Sequence, residues 1–285
     1  MILDQKKKIL VVGLGLIGGS YAAALSSGGY EVGGIDASPE AIAYARAHGF
    51  ISHGQNEVTA DYVGDFDILV FALYPHVLLS WIEEYAAFIK SGALVTDVTG
   101  VKTGVVDRVQ EMLGERAEFV GAHPMAGREV SGVQNADPSL FRGANYIVTP
   151  TDTNTEQGIL LCEALGRAIG SGSVSRLSPK EHDEMIGFLS QLTHCIAVSL
   201  MTCKESRQLV DYTGDSFRDL TRIAKINEKM WSELFLLNRE ELLSQMDLFL
   251  ERFRELREAL AAGDCETMMQ MMRLSTERRK YFDKK

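Results

Sequence analysis

Residues 9–36 constrain the fold more than any other stretch. Ile9-Leu10-Val11-Val12 is a short apolar run rich in β-branched side chains, Gly13-Leu14-Gly15-Leu16-Ile17-Gly18 follows at once, and Tyr21-Ala22-Ala23-Ala24-Leu25 favours helix. That order predicts strand, glycine turn, helix. In such a unit Gly13 permits the tight turn, Gly15 lets backbone approach a ligand, and Gly18 lets the helix pack on the strand. The helix N-terminus, with Leu16 and Ile17 in its first turn, attracts an anion such as a pyrophosphate. A second apolar segment, Tyr30 to Ile35, ends in Asp36, 18 residues beyond Gly18. A carboxylate there accepts hydrogen bonds from ribose hydroxyls and repels a 2′-phosphate, so the pattern points to NAD rather than NADP.

The following elements extend the same architecture. Ser38-Pro39-Glu40 supplies a capping residue and a proline at the first helical position. Asp67 to Ala72 is a continuous apolar run, as a parallel strand covered on both faces requires, and it leads into the loop Leu73-Tyr74-Pro75. Leu94 to Asp97 is the next strand, followed by a loop containing Thr99 and Lys102. Lys102 reads equally well as a solvated helix residue. Glu118-Phe119-Val120 then brings His123 to the carboxyl edge of the sheet, where ligands of such folds bind. His123 lies in what reads as a rigid turn between Gly121 and Gly127, with Pro124 fixing the backbone after it. An imidazole accepts a proton near neutral pH, although a histidine before a proline is by itself more often structural. Asn145 to Pro150 and Ser173 to Arg176 read as further strands around a helix from Glu156 to Ile169.

After Arg176 the pattern changes to helix throughout. Ser178-Pro179-Lys180-Glu181 is a capping box, and the segment it opens carries apolar residues almost all round, so it is expected to be buried on most sides. Trp231 to Leu237, Leu242 to Leu260 and the run Met268-Met269-Gln270-Met271-Met272 keep helical periodicity, the methionines reading as packing. The predicted fold is an α/β Rossmann-type parallel-sheet domain over residues 1–176, followed by an all-α helical dimerisation domain over 177–285. His182-Asp183, Gln191 and His194 place polar groups in this apolar setting. Arg218 and Arg222, four apart, would share a helix face and offer carboxylates a forked partner.

A formal net charge of −10 argues against nucleic acid or an anionic membrane as partner. The cysteines, Cys162, Cys195, Cys203 and Cys265, lack the spacing of a metal or redox motif and read as mostly buried thiols; no metal site is expected. The N-terminus shows no secretory pattern, and no run is seen to approach the roughly 20 apolar residues of a bilayer span, so a cytoplasmic location is expected.

Several of these segments together resemble the prephenate/arogenate dehydrogenase family over nearly the whole chain. They are the glycine turn with Asp36, Asp97-Val98-Thr99-Gly100-Val101-Lys102, His123-Pro124-Met125-Ala126-Gly127 with Glu129-Val130-Ser131-Gly132, His182-Asp183, and Phe217 to Ala224. The resemblance implies that His123 is the catalytic base. It also implies that Arg222 holds the side-chain carboxylate of prephenate and that His194, Arg218 and Glu129 line the substrate pocket. NAD would lie against Gly13, Gly15, Leu16, Ile17, Gly18, Asp36, Leu73 and Thr99, and the helical domain would make a homodimer. The implied reaction is an oxidative decarboxylation of prephenate toward tyrosine. Where many members carry a serine that orients the histidine, this chain has Gly100, and the hydroxyl of Thr99 is expected to substitute. Arogenate as substrate, another dehydrogenase of the β-hydroxyacid type, and a non-catalytic NAD-sensing dimer are the competing readings.

Overall fold

The computed structural model describes residues 3–205 and 207–283. Its first part alternates strand and helix: β1 (Ile9–Val12), α1 (Leu16–Ser27), β2 (Val32–Ile35), α2 (Pro39–Ala47), β3 (His53–Gln55), the single turn α3 (Ala60–Val63), β4 (Ile68–Phe71), α4 (Pro75–Tyr85), β5 (Ala93–Asp97), α5 (Val106–Leu113) and β6 (Ala117–Phe119). These strands form one parallel sheet in the order β3-β2-β1-β4-β5-β6. Every residue of β1 and β4 is buried, because helices cover both faces. The alternation is visible in β1 itself, where Ile9 and Val11 join the core on one face and Leu10 and Val12 the core on the other. Strand order reverses between β1 and β4, so the loops after these two strands flank the crevice where open α/β sheets take ligands.

A second sheet follows, with β7 (Gly121–Pro124) antiparallel to β8 (Asn145–Thr149) and β8 parallel to β9 (Ser173–Arg176), and α6 (Glu156–Ala168) between the last two strands. Here the structure corrects the expected turn around His123. The histidine lies within β7, paired across from Ile147, and the irregular loop begins only after Pro124. The edge of β8 supplies ladder partners that short-range sequence signals do not reveal.

The capping box of Ser178 and Glu181 forms as expected and opens a helical run of α7 (Pro179–Ile186), a π-helical segment Gly187–Leu192, and α8 (Thr193–Thr202). Then come α9 (Asp215–Thr221), α10 (Glu228–Leu237), α11 (Arg239–Ala262) and α12 (Cys265–Arg279). The chain divides into two compact units between Asn238 and Arg239; α11 and α12 pack on each other in the second.

Three expectations change. The run from Pro179 to Thr202 is long and apolar enough, by length and composition, to cross a membrane, because its scattered polar residues only dilute its hydrophobicity. It is also less enclosed than its pattern suggests: His182, Ile186 and Leu192 are buried, but Phe188, Leu189 and Leu200 are exposed, because an apolar composition does not itself supply neighbours on every side. Of the cysteines, Cys162 is buried and Cys195 half-buried, but Cys203 and Cys265 are exposed, so burial does not follow from residue type alone.

Candidate active site

The glycine turn has a separate physical reason at each glycine. Gly13 has φ +91°, and a Cβ there would fall 2.5 Å from the Ala72 carbonyl oxygen. A Cβ on Gly18 would fall 1.8 Å from the Gly13 oxygen, so only glycine lets α1 start this close to the strand. A Cβ on Gly15 would meet nothing within 4 Å, and no side chain caps α1, so the turn opens at a helix N-terminus ready for an anion. Asp36 is fixed at the end of β2: its carboxylate accepts from Leu14 N at 2.6 Å and from Ser38 N at 2.8 Å. Leu73, after β4, packs beside Gly13, while Leu16 is buried and Ile17 half-buried against the core. The residues expected to hold a dinucleotide thus gather at the strand-order reversal, and the open glycine cradle fits a pyrophosphate.

Thr99 is brought to this edge, but its side chain turns inward. Its hydroxyl donates to the Asp97 carboxylate and lies 2.9 Å from the Val101 carbonyl. The same carboxylate receives Lys102 Nζ at 2.6 and 2.8 Å, and both residues are fully buried. Lys102 is therefore not a solvated helix residue. Burial pushes its ammonium below the ordinary lysine value, opposed by the charge and hydrogen bonds of Asp97. The pair grips the residue preceding His123 from both sides: Ala122 N donates to Asp97 at 3.0 Å, and the Ala122 carbonyl accepts from Lys102.

The partner of His123 is not Thr99. Nδ1 of His123 lies 2.9 Å from Nε2 of His182, whose own Nδ1 lies 2.7 Å from the Asp183 carboxylate. Asp183 also accepts from the backbone N–H groups of Lys102 at 2.9 Å and Thr103 at 2.7 Å. Burial works against its charge, but the hydrogen bond from His182 and the bonds from Thr103 hold its carboxyl below the usual carboxylate range. Burial, followed by the electrostatic influence of His182 and Lys102, holds His123 well below the ordinary histidine value, so the ring is neutral at pH 7 and keeps a lone pair able to accept a proton. Its Nε2 has no hydrogen-bond partner among the described residues. The Cβ of a side chain at Gly100 would sit 3.9 Å from that nitrogen, in ordinary van der Waals contact.

On the helical side, His194 packs against Trp231 with ring centroids 3.8 Å apart and the planes tilted by 30°, and its Nδ1 lies 2.9 Å from the Ser190 carbonyl. Burial lowers its pKa; the Ser190 carbonyl and the Glu129 charge oppose the shift, and Arg222 adds slightly to it. Arg222 pairs with Glu129 across 93 residues of sequence, at an exposed position. Arg218 instead bonds within its own segment, to Asp215 at 2.6 Å and to Thr213. Helix α9 ends at Thr221, so the two arginines do not continue one helix face. Asn238 ties this side together by donating to the Asp183 carbonyl at 2.9 Å and to Gln191 Oε1 at 2.7 Å. No cluster of potential metal ligands occurs among the described residues. The residue patterns point to His123 but assign no role to the Asp97–Lys102 pair, Asn238 or Trp231. Only the polar His182-Asp183 pair just inside a capped helix signals what lies behind the histidine.

A parallel sheet with an open glycine cradle, and a neutral histidine at its carboxyl edge facing a helical segment, define a nucleotide-binding dehydrogenase. The chain belongs to the prephenate dehydrogenase family of oxidoreductases. The family profile described as prephenate dehydrogenase, nucleotide-binding domain, matches residues 21–168, and that described as prephenate dehydrogenase, dimerization domain, matches residues 178–274. The prephenate dehydrogenase of Bacillus subtilis is 32% identical over 284 residues, covering 97% of this chain and 76% of the relative. That of Lactococcus lactis is 31% identical over 92% of this chain and 73% of its own. Among solved structures, prephenate dehydrogenase from Aquifex aeolicus in complex with hydroxyphenyl propionate and NAD+ superposes with a TM-score of 0.88 at 30% identity, covering 97% of this chain and 98% of the other.

Proposed function

We propose that this protein catalyses the NAD-dependent oxidative decarboxylation of prephenate to 4-hydroxyphenylpyruvate. The observation that carries the reading is the half-buried, neutral His123, engaged through Nδ1 and unpartnered at Nε2, at the edge where the glycine cradle and Asp36 converge. Gly13, Gly15 and Gly18 with the start of α1 hold the pyrophosphate of NAD, Asp36 the adenosine ribose, and Leu16, Ile17, Leu73 and Thr99 line the approach. Bound NAD would supply the hydride acceptor for the ring carbon that carries the hydroxyl. His123 Nε2 takes the proton of that hydroxyl, carbon dioxide leaves as the ring becomes aromatic, and a proton returns to the phenolate oxygen to give the product hydroxyl. Aromatisation drives the reaction, so the protein mainly orients and deprotonates.

Arg222 holds the side-chain carboxylate of the substrate, exchanging its bond to Glu129 for one to the ligand, and His194 and Arg218 complete the pocket. Residues 1–176 serve as the NAD-binding part and 177–285 as the helical part, whose exposed Phe188, Leu189 and Leu200 suit an interface with a second copy in a cytoplasmic homodimer. Mixing the protein with NAD and prephenate, then with NAD and arogenate, and following NADH absorbance tests the proposal. Faster turnover of prephenate is expected. A preference for arogenate would reassign the substrate, and no turnover with either would leave a cofactor-binding dimer without this activity.

A further inference from the structure

The row Asp183, His182, His123 has a direction, and that direction follows from which groups can only accept and which can only donate. Asp183 receives two backbone N–H groups, from Lys102 and Thr103, at 2.9 and 2.7 Å. Backbone N–H groups have no acceptor capacity, so this carboxylate acts there purely as an acceptor. Its third bond, at 2.7 Å, is to His182 Nδ1, which must then carry the hydrogen. Burial and the nearby Lys102 charge disfavour a cationic His182, Asp183 opposing them, and the ring is neutral. A neutral imidazole protonated at Nδ1 has its lone pair at Nε2, and that nitrogen faces His123 Nδ1 at 2.9 Å. His123 Nδ1 is therefore the donor in that bond.

We propose that Asp183 and His182 are positioning residues that hold His123 in its Nδ1–H tautomer, so that the Nε2 lone pair is always the one presented to the substrate hydroxyl. The inference rests on the reading of His123 as the base. When His123 accepts a proton at Nε2 it still donates from Nδ1, so the bond to His182 is the same before and after the transfer and nothing behind the base has to reorganise. Both ends of the row are anchored by one segment: Lys102 and Thr103 bond Asp183 through their backbone, while the Lys102 side chain holds Ala122 beside His123. Asn238 holds the Asp183 carbonyl. This arrangement accounts for a base that needs no hydroxyl at Gly100.

The test reads the tautomer directly. In protein labelled with 15N-histidine, long-range proton–nitrogen correlation, with His123→Asn used to assign the signal, reports which ring nitrogen carries hydrogen. The wild type is expected to show hydrogen on Nδ1 of His123. His182→Phe removes the acceptor; His123 should shift toward the Nε2–H form, and kcat should fall about 10- to 100-fold, the usual loss when a group behind a functional histidine is removed, with KM for NAD and substrate little changed. His182→Gln, whose amide can accept from His123 and donate to Asp183, should recover most of that loss. Hydrogen on Nε2 in the wild type, or an unchanged tautomer and kcat in His182→Phe, would overturn the proposal. Should His182→Phe fail to fold, the wild-type tautomer and the glutamine variant decide. A wild type with the expected tautomer but no turnover of prephenate or arogenate would sink the functional reading while leaving the positioning role intact.

Discussion

Lys102 Nζ and the Asp97 carboxylate meet at 2.6 Å with neither side chain exposed, and together they hold both backbone polar groups of Ala122. A buried pair of this kind is weak evidence for stability, but breaking it by removing one partner leaves a buried charge unmatched. Lys102→Met should therefore destabilise the protein by about 3–5 kcal/mol. The equivalent change at the more exposed Lys90, which pairs with Asp67, should cost no more than about 1 kcal/mol. Denaturant or thermal unfolding of the two variants side by side checks the difference, and equal losses would contradict it.

The second expectation concerns pH. His123 must be neutral to accept a proton, and its pKa is depressed, so kcat/KM should stay flat through pH 7 and fall only in acid, below the ordinary histidine value of 6.5. The depression also has a sign for stability. Between the folded and unfolded pKa values the unfolded chain binds more protons, so the stabilisation is complete above about pH 6.5 and is lost as pH falls through the folded value. His182 and His194, lowered in the same direction, add to the effect. A rate profile that rises into acid would reassign the base. His123→Asn should lower the rate by about two to four orders of magnitude with folding preserved.

Asp36 is the residue expected to set the cofactor preference. Its carboxylate is locked by the backbone N–H groups of Leu14 and Ser38 and cannot swing away from a 2′-phosphate. Asp36→Ala should weaken NAD binding and relax discrimination against NADP, as titrations with both cofactors would reveal. A wild type that prefers NADP would refute the argument.

Arg222 is exposed, so its pair with Glu129 contributes little to stability, at most about 1 kcal/mol. Arg222→Ala should leave the melting temperature nearly unchanged and raise KM for the substrate strongly, because a forked carboxylate partner disappears. Steady-state kinetics beside a melting curve separate the outcomes. An unaltered KM would return the residue to a structural role.

Thr99→Val is expected to act on stability, since the hydroxyl serves the buried Asp97. The loss should be about 1–3 kcal/mol, the cost of leaving a buried acceptor short of a donor. The His123 tautomer should be unchanged in that variant, and histidine NMR would detect any departure.

Local pattern was enough to read the alternating strands and helices, the glycine turn with Asp36, and the capped helix at Ser178, because propensity, capping and glycine geometry act within a few residues of sequence. The likeness of several short motifs to one family pointed in the same way to His123 and Arg222. The sequence could not show that His123 sits on a strand, since the ladder partner of β7 is β8, more than twenty residues away. Nor could it show that Thr99 faces Asp97, that Lys102 is buried, or that His182 stands behind His123, 59 residues apart in the chain. Those relationships depend on where the chain returns after a loop, and on burial that makes each polar group take whichever partner the fold brings within hydrogen-bond distance. The choice of His123 as the proposed base came from the sequence. Which of its nitrogens is free to act was decided only when distant segments packed together.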